Sequence, residues 1–284
     1  MWDEQQYRPH VFFFSNLTLL KRGSNGNIRI MSMPSSVVHY TSLPVLQILL
    51  TGALASAKGE IVFHLSHLSM MNDSGEGRYI LDRFYTDSLA KKKMKEDWNN
   101  SYYPSHLPFI FSTIATDTNS RNRGSIPMWK MYGDECRGVL LRFNYSKLKK
   151  YCAENKFIFD ECKYRTVNEV DELIAGFNKN GVSFDELMLQ SCITKQICWS
   201  YEKEWRIIVT TSNEKVKTKS TARGLVEYFE LHLPIDLIEE ICLGPLCEHE
   251  NSEKSIALLK EKLVSKFGED KAHFDISKSS ITLK

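Results

Sequence analysis

Three stretches decide the fold class: EWRIIVTT at 204–211, LVEYFELH at 225–232 and IEEICL at 238–243. Each reads as a strand, rich in β-branched and aromatic residues, and no helix is read between them. Working outward, the same reading gives strands at Val37–Tyr40, Ile61–Leu65, Pro108–Thr113, Gly138–Phe143 and Lys156–Tyr164. Helical periodicity covers 43–54, capped by Ser42 or Thr41 and with Gly52 near its C-cap, and then 78–98, 126–132 with Pro127 in the first turn, and 146–153. Further helices fall at 167–177, 184–196 and 253–267, and two short strands close the chain. Strands predominate in the middle and end without regular strand–helix alternation. The expectation is therefore an α+β fold, with mixed or antiparallel central sheets and flanking helices. With no repeat, low-complexity tract or linker, 37–284 reads as a single domain carrying a helical insertion at about 166–197. Residues 1–36 read as a peripheral N-terminal extension, and Met31 or Met33 as an alternative start.

The chain has 284 residues, 42% of them hydrophobic and 25% charged, which excludes a disordered, collagen-like or coiled-coil protein. A net charge of +2, from 37 basic and 35 acidic residues, gives no strong non-specific pull toward nucleic acid or anionic lipid. Seven cysteines, none spaced as CxxC, read as reduced thiols and so as a cytoplasmic protein. The apolar run from Val11 to Leu20 is too short to span a bilayer, and Asp3 and Glu4 spoil a signal-peptide n-region. No membrane partner is expected.

Phosphate-cradling glycine loops of the Walker or dinucleotide type are absent, as are G-x-S-x-G and H-E-x-x-H. His64 and His67 stand three apart on a strand, hence on opposite faces, and no metal site is expected.

Three segments carry more polar and aromatic residues than a core needs. They are His39-Tyr40-Thr41-Ser42; Phe111-Ser112 followed by Met128-Trp129-x-x-Tyr132; and Tyr201-x-x-Glu204-Trp205-Arg206. Singly, each has an ordinary structural reading. His39 suits a helix cap or a satisfied core histidine, and Trp129 and Tyr132 sit at core-like helical spacing. Glu204 and Arg206, two apart on a strand, point the same way and suit a structural ion pair.

In this order the segments resemble the bacterial family known as domain of unknown function 2971. The matching pieces are HYTSLPVLQILLTG at 39–52, LSMMNDSGEG at 68–77, FSTIATDTNSRNRGSIPMWKMYGDECRGVLLRF at 111–143, YEKEWRI at 201–207 and IEEICLGP at 238–245. The family's turn proline is missing after Asn72-Asp73. The layout is also similar, more distantly, to the ADP-ribosyltransferase superfamily. There, a histidine and a nearby Thr or Ser on a first strand precede a helix of the form Ile-Leu-x-x-Gly, matched by His39, Thr41 and Ile48-Leu49-x-x-Gly52. An aromatic strand with a serine (Phe111, Ser112), a helix with a tyrosine (Tyr132) and a late-strand glutamate (Glu204) complete the pattern.

That resemblance implies an ADP-ribosyltransferase-like fold that uses NAD as substrate and cleaves it at the nicotinamide ribose. The product would be a modified macromolecule or the hydrolysed dinucleotide. Glu204, His39 and Tyr132 would be catalytic: the carboxylate holds the ribose 2′-hydroxyl and meets the positive charge of an oxocarbenium-like state. His39 would donate to a ribose hydroxyl, and Tyr132 or Trp129 would stack on nicotinamide. Backbone beside His39 and Tyr40 would grip the carboxamide, with Thr41 and Ser112 in the same cofactor-binding set. Arg206 would keep Glu204 ionised, and Arg137, Arg121 and Arg123 are candidates for the pyrophosphate. The alternatives are an inactive nucleotide-binding module, or a single-stranded nucleic-acid-binding or processing protein in bacterial defence, with bases on Trp129. The balanced net charge does not indicate nucleic acid.

Overall fold

The computed structural model describes residues 20–22, 28–30, 33–68, 77–86, 92–93, 96, 107–116, 124–211, 215–221 and 224–283. The chain divides into two units, Met1–Met33 and Pro34–Lys284. In the first, β1 (Leu20–Arg22) pairs antiparallel with β2 (Ile28–Ile30). The turn at Asn72–Gly75 and the residues Arg121 and Arg123 lie outside the described residues.

The second unit is built on a ten-stranded sheet. Its strands are β3 (Ser36–Thr41), β4 (Glu60–His67), β5 (Leu107–Thr116), β6 (Val139–Asn144), β7 (Ile158–Glu161), β10 (Glu204–Thr211), β11 (Lys217–Thr221), β12 (Gly224–Pro234), β13 (Ile238–Leu243) and β14 (Asp275–Lys278). The order is β11-β12-β4-β5-β3-β6-β13-β14, with β10 attached to β5 and β7 to β10. All of these pairings are antiparallel except β13 with β14. A separate small ladder joins β8 (Lys163–Arg165) in parallel to β9 (Thr194–Gln196). The architecture is α+β, with a mostly antiparallel sheet and flanking helices.

Alternation along the strands sorts the core into two sides. On one side Val37, Phe63, Phe109, Phe111, Phe143 and Ile207 pack beneath helices Leu43–Ala55 and His249–Phe267, through Leu46, Leu50, Ile256 and Leu263. On the other, Ile110 and Ile208 meet helices Tyr79–Phe84, Val167–Asn180 and Phe184–Ile193. Farther along that side, Val38, Tyr40, Leu140 and Cys242 receive Met128 and Trp129 from helix Ile126–Tyr132. Strand β10 is buried on both faces over almost its whole length. Such strands are normally continuous apolar runs, so the charged pair Glu204 and Arg206 is out of character there.

Local chemistry explains most boundaries, and some differ from expectation. Ser42 caps helix Leu43–Ala55 by accepting from the Val45 amide, but the helix runs past Gly52 and ends at Ser56, whose N–H donates to the Gly52 carbonyl. The helix beginning at Val167 opens on a capping box between Thr166 and Glu169. The expected single strand 156–164 is two, broken at Cys162. The helix expected to reach Gln196 ends at Ile193, where Thr194 turns extended and begins β9. Strand β11, lysine-rich and exposed at the sheet edge, was not anticipated.

The sheet has a notch. On the edge of β5 away from β10, β4 pairs with Phe109 and Ile110, and β3 pairs with Ile114 to Thr116. Between them, His39 fills the gap: its Nδ1 donates to the Ser112 carbonyl at 3.0 Å. The ring stacks on Phe111 at 4.5 Å and meets Phe63 edge-on at 5.3 Å.

Candidate functional site

Glu204 is the first residue of β10, directly after the 3-10 turn Ile197–Glu202. Lys203 between them holds a left-handed backbone, φ 48°, a conformation that is uncommon outside glycine. This kink lets Glu202 and Glu204 converge on one cation. Lys195 Nζ lies 2.5 Å from Glu202 Oε2 and 2.9 Å from Glu204 Oε2. Arg206 closes the other side, with Nε on Glu204 Oε1 at 2.8 Å and Nη2 on Oε2 at 3.0 Å. Its Nη1 donates to the Cys192 carbonyl at 2.5 Å. Among the described residues, two acids and two bases thus meet in a buried group whose formal charges cancel; Arg206 is 0% and Glu204 4% exposed.

Backbone contacts fix the same spot. The Glu204 N–H donates to the Tyr164 hydroxyl at 2.7 Å, and its carbonyl accepts from the Cys162 amide at 2.9 Å. Tyr164 and Lys195 are register partners on β8 and β9. The small ladder therefore delivers a hydroxyl to the backbone of Glu204 and an ammonium to its side chain.

Tyr132 forms the outer edge. Its hydroxyl donates to Glu202 Oε1 at 2.8 Å, while the residue stays 38% exposed. It is the last residue of helix Ile126–Tyr132, and Gly133 caps that helix. Asp134, Glu135 and Cys136 then take left-handed backbones, φ 51°, 53° and 71°. Each such residue costs about 1–2 kcal/mol. The turn is held by bonds from the Cys136 amide to the Trp129 carbonyl (3.1 Å) and from Gly138 to the Gly133 carbonyl (2.8 Å). This reversal leaves Tyr132 and Arg137 exposed.

The electrostatics follow from burial and pairing. Burial raises the Glu204 pKa, and the Glu202 charge adds to this; the Lys195 charge and hydrogen bonds from Ser112 and Lys195 oppose it. Burial pulls Lys195 down, but the Glu204 charge and the bonds to both glutamates outweigh it, so its pKa is raised. Burial lowers Arg206 to about 9, which still leaves it charged at neutral pH. Burial, then the bond to Glu202, pushes the Tyr132 phenol up.

The residues singled out from sequence divide by face. Val38 and Glu204 are both register partners of Ile114, so they share a side of the sheet, and His39 next to Val38 takes the other. Tyr132 and Glu204 are brought together through Glu202 and Lys195, with half-buried Ser112 as the β5 partner of Arg206. His39 is not with them: its ring lies among Phe111 and Phe63 across the sheet, where burial lowers its pKa. Among the described residues it is linked to the site through the Ser112 backbone carbonyl. Trp129 is fully buried and edge-on to Tyr40 at 4.9 Å, so its ring belongs to the core and presents no face for stacking. The Tyr40 hydroxyl accepts from the Ser125 amide, and Tyr40 is likewise core. Thr41 ends β3 on the His39 side. Arg206 is spent on Glu204 and Cys192 rather than turned to a ligand.

Sequence reading missed Glu202 and Lys195. Glu202 stood in the quoted YEKEWRI, and a second acid two residues before Glu204 was the available signal. Lys195 was concealed inside a predicted helix. Among the described residues no group of three or more His, Cys, Asp or Glu side chains is placed to hold a metal ion. Among them, too, no helix is long and apolar enough to cross a membrane.

Comparison with known proteins adds the following. Residues 128–207, which carry Tyr132, Lys195, Glu202, Glu204 and Arg206, match a family described as "Protein of unknown function (DUF2971)". No curated protein sequence matches the chain. Two solved structures are similar at the level of 13% and 12% identity. They are Thermus sp. 2.9 DarT in complex with ADP-ribosylated ssDNA, covering 86% of this chain and 94% of that one at a TM-score of 0.30, and the same protein in complex with NAD+, covering 87% and 96% at 0.29.

Proposed function

We propose that this protein is an ADP-ribosyltransferase-like enzyme that binds NAD and breaks the bond between nicotinamide and ribose, passing ADP-ribose to a macromolecule or to water. The observation that carries this reading is the pair of buried glutamates converging under the half-exposed Tyr132 ring. Breaking that bond expels a neutral nicotinamide and builds positive charge on the sugar. A fixed anion beside that sugar acts mainly on the transition state, because in a dry site its charge needs no reorganisation. Glu204 is the acid held most firmly, its carboxylate by Arg206 and Lys195 and its backbone N–H by the Tyr164 hydroxyl. Tyr132 supplies the aromatic face at the rim, and exposed Arg137, on the loop that follows it, supplies a cation for the pyrophosphate. His39 and Trp129 have no part in this arrangement, since one lies across the sheet and the other is sealed in the core.

A second reading has an observation of its own. Both Glu204 oxygens are engaged by Arg206 and Lys195, which suits a module that binds a nucleotide without turning it over. Incubation with NAD and chromatography for free nicotinamide separates the two. The enzyme releases nicotinamide, and Tyr132→Ala lowers that rate by tenfold or more. A binding module shows a rise in Tm with NAD and no release. Absence of nicotinamide release overturns the proposal, and absence of a rise in Tm as well overturns the binding reading.

A further inference from the structure

We infer that Lys195 is the positioning residue of this site: its ammonium, seated between the carboxylates of Glu202 and Glu204, holds both of them charged and in register and so sets the acid limit of the site. For its activity arm the inference rests on the function proposed above; its titration arm does not.

The geometry is specific. Lys195 Nζ is 2.5 Å from one carboxylate and 2.9 Å from the other. The remaining partners are shared unequally. Glu204 has a second cation, Arg206, on both of its oxygens, whereas Glu202 accepts in addition from a neutral phenol, Tyr132. Among the described residues, the titratable groups facing the ammonium are Glu202 from the 3-10 turn, Glu204 and Arg206 from β10, Tyr132 from the short helix, and Cys162 and Tyr164 from beside and within β8. The Trp199 ring lies 5.6 Å from Nζ. Without Lys195, Glu202 and Glu204 converge with Arg206 as the one remaining cation among the described residues. Like charges so close cannot both stay ionised, and the pair takes up a proton that belongs to both. A group that merely filled space would leave no such mark.

The test uses Lys195→Met, which keeps the length of the stem and removes the charge, and Lys195→Arg, which restores the charge. With glutamate labelled at the side-chain carboxyl carbon, NMR titration of the full-length protein should show one additional carboxyl titrating above about pH 6 in Lys195→Met, absent from wild type and from Lys195→Arg. The acid limb of nicotinamide release should move up by a pH unit or more in Lys195→Met, so that activity at the wild-type limb drops about tenfold and recovers at higher pH. Lys195→Arg should restore the wild-type limb. A folded Lys195→Met with no additional titrating carboxyl overturns the inference. Should that variant fail to fold, an additional titrating carboxyl in Lys195→Arg overturns it, and a wild-type titration there supports it. If wild type releases no nicotinamide, the function proposed above fails, while the carboxyl titration still decides the role of Lys195.

Discussion

Replacing Glu204 by glutamine gives the sharpest test of the buried charge group. The substitution keeps the size of the side chain but removes the negative charge that faces Arg206 at 2.8 and 3.0 Å and Lys195 at 2.9 Å. Lys195 retains Glu202. Arg206, fully buried, keeps the Cys192 carbonyl but now faces a neutral amide that presents a donor as readily as an acceptor. Breaking one side of a buried pair typically costs about 3–5 kcal/mol, because the surviving charge stays buried after its counter-charge is gone. For a domain of this size each kcal/mol lowers Tm by about 2–4 °C, so the expected fall is roughly 6–20 °C. The double replacement Glu204→Leu with Arg206→Met removes both charges and should be more stable than the single variant, since apolar replacement of a whole buried pair is often neutral or better. Thermal unfolding followed by circular dichroism at pH 7 measures both. A fall of less than about 2 °C for Glu204→Gln, or simple additivity in the double variant, would refute the claim that the pair is tightly coupled. The same numbers bear on function: activity lost in Glu204→Gln must be compared at a temperature where the variant is folded.

Two further predictions concern the frame around the site. Burial lowers the His39 pKa below 6.5 while the Ser112 carbonyl opposes the shift. Below that pH the unfolded chain binds more protons than the folded one, so stability should fall as pH drops from 6.5 through the folded value. His39→Phe preserves the stack on Phe111 and should remove that part of the slope; an unchanged difference between wild type and variant across about pH 5 to 7, by urea denaturation, would contradict the buried neutral imidazole. Glycine substitutions should split in sign. A Cβ at Gly138 would lie 2.3 Å from the Thr41 carbonyl oxygen and 2.8 Å from that of Gly133, both main-chain atoms, so Gly138→Ala should destabilise by about 1–3 kcal/mol. At Gly176, inside helix Val167–Asn180, an added Cβ would meet no neighbouring element within 4 Å among the described residues, so Gly176→Ala should stabilise by about 1 kcal/mol.

Much of the frame was legible because it rests on local periodicity. Helix Ile126–Tyr132, with Pro127 at its start, and strands Glu204–Thr211 and Ile238–Leu243 fall where the pattern of apolar residues placed them. The same-face relation of Glu204 and Arg206 follows from a period of two and holds in the structure as a hydrogen-bonded ion pair. The break at Ile193 was hidden, because LMLQSCITKQ is apolar enough to continue a helix; what ends it is pairing of Lys195 with Tyr164 across a ladder whose other strand lies about thirty residues earlier. The aromatic cluster divided for a similar reason. Composition marks Trp129, Tyr132 and His39 alike, yet burial seals the first, exposes the second and sends the third to the opposite side of the sheet.

The sequence by itself determined the α+β class, the order of most strands and helices, and the presence of an acid–base pair on one late strand. Those are consequences of side-chain spacing along a single segment. Only the tertiary structure decided that Lys195 and Glu202 join that pair, that Tyr132 stands at its edge, and that His39 instead pins the notch in β5. Each of these depends on which strands become neighbours and in which register, and a shift of one residue would turn every such side chain to the other face.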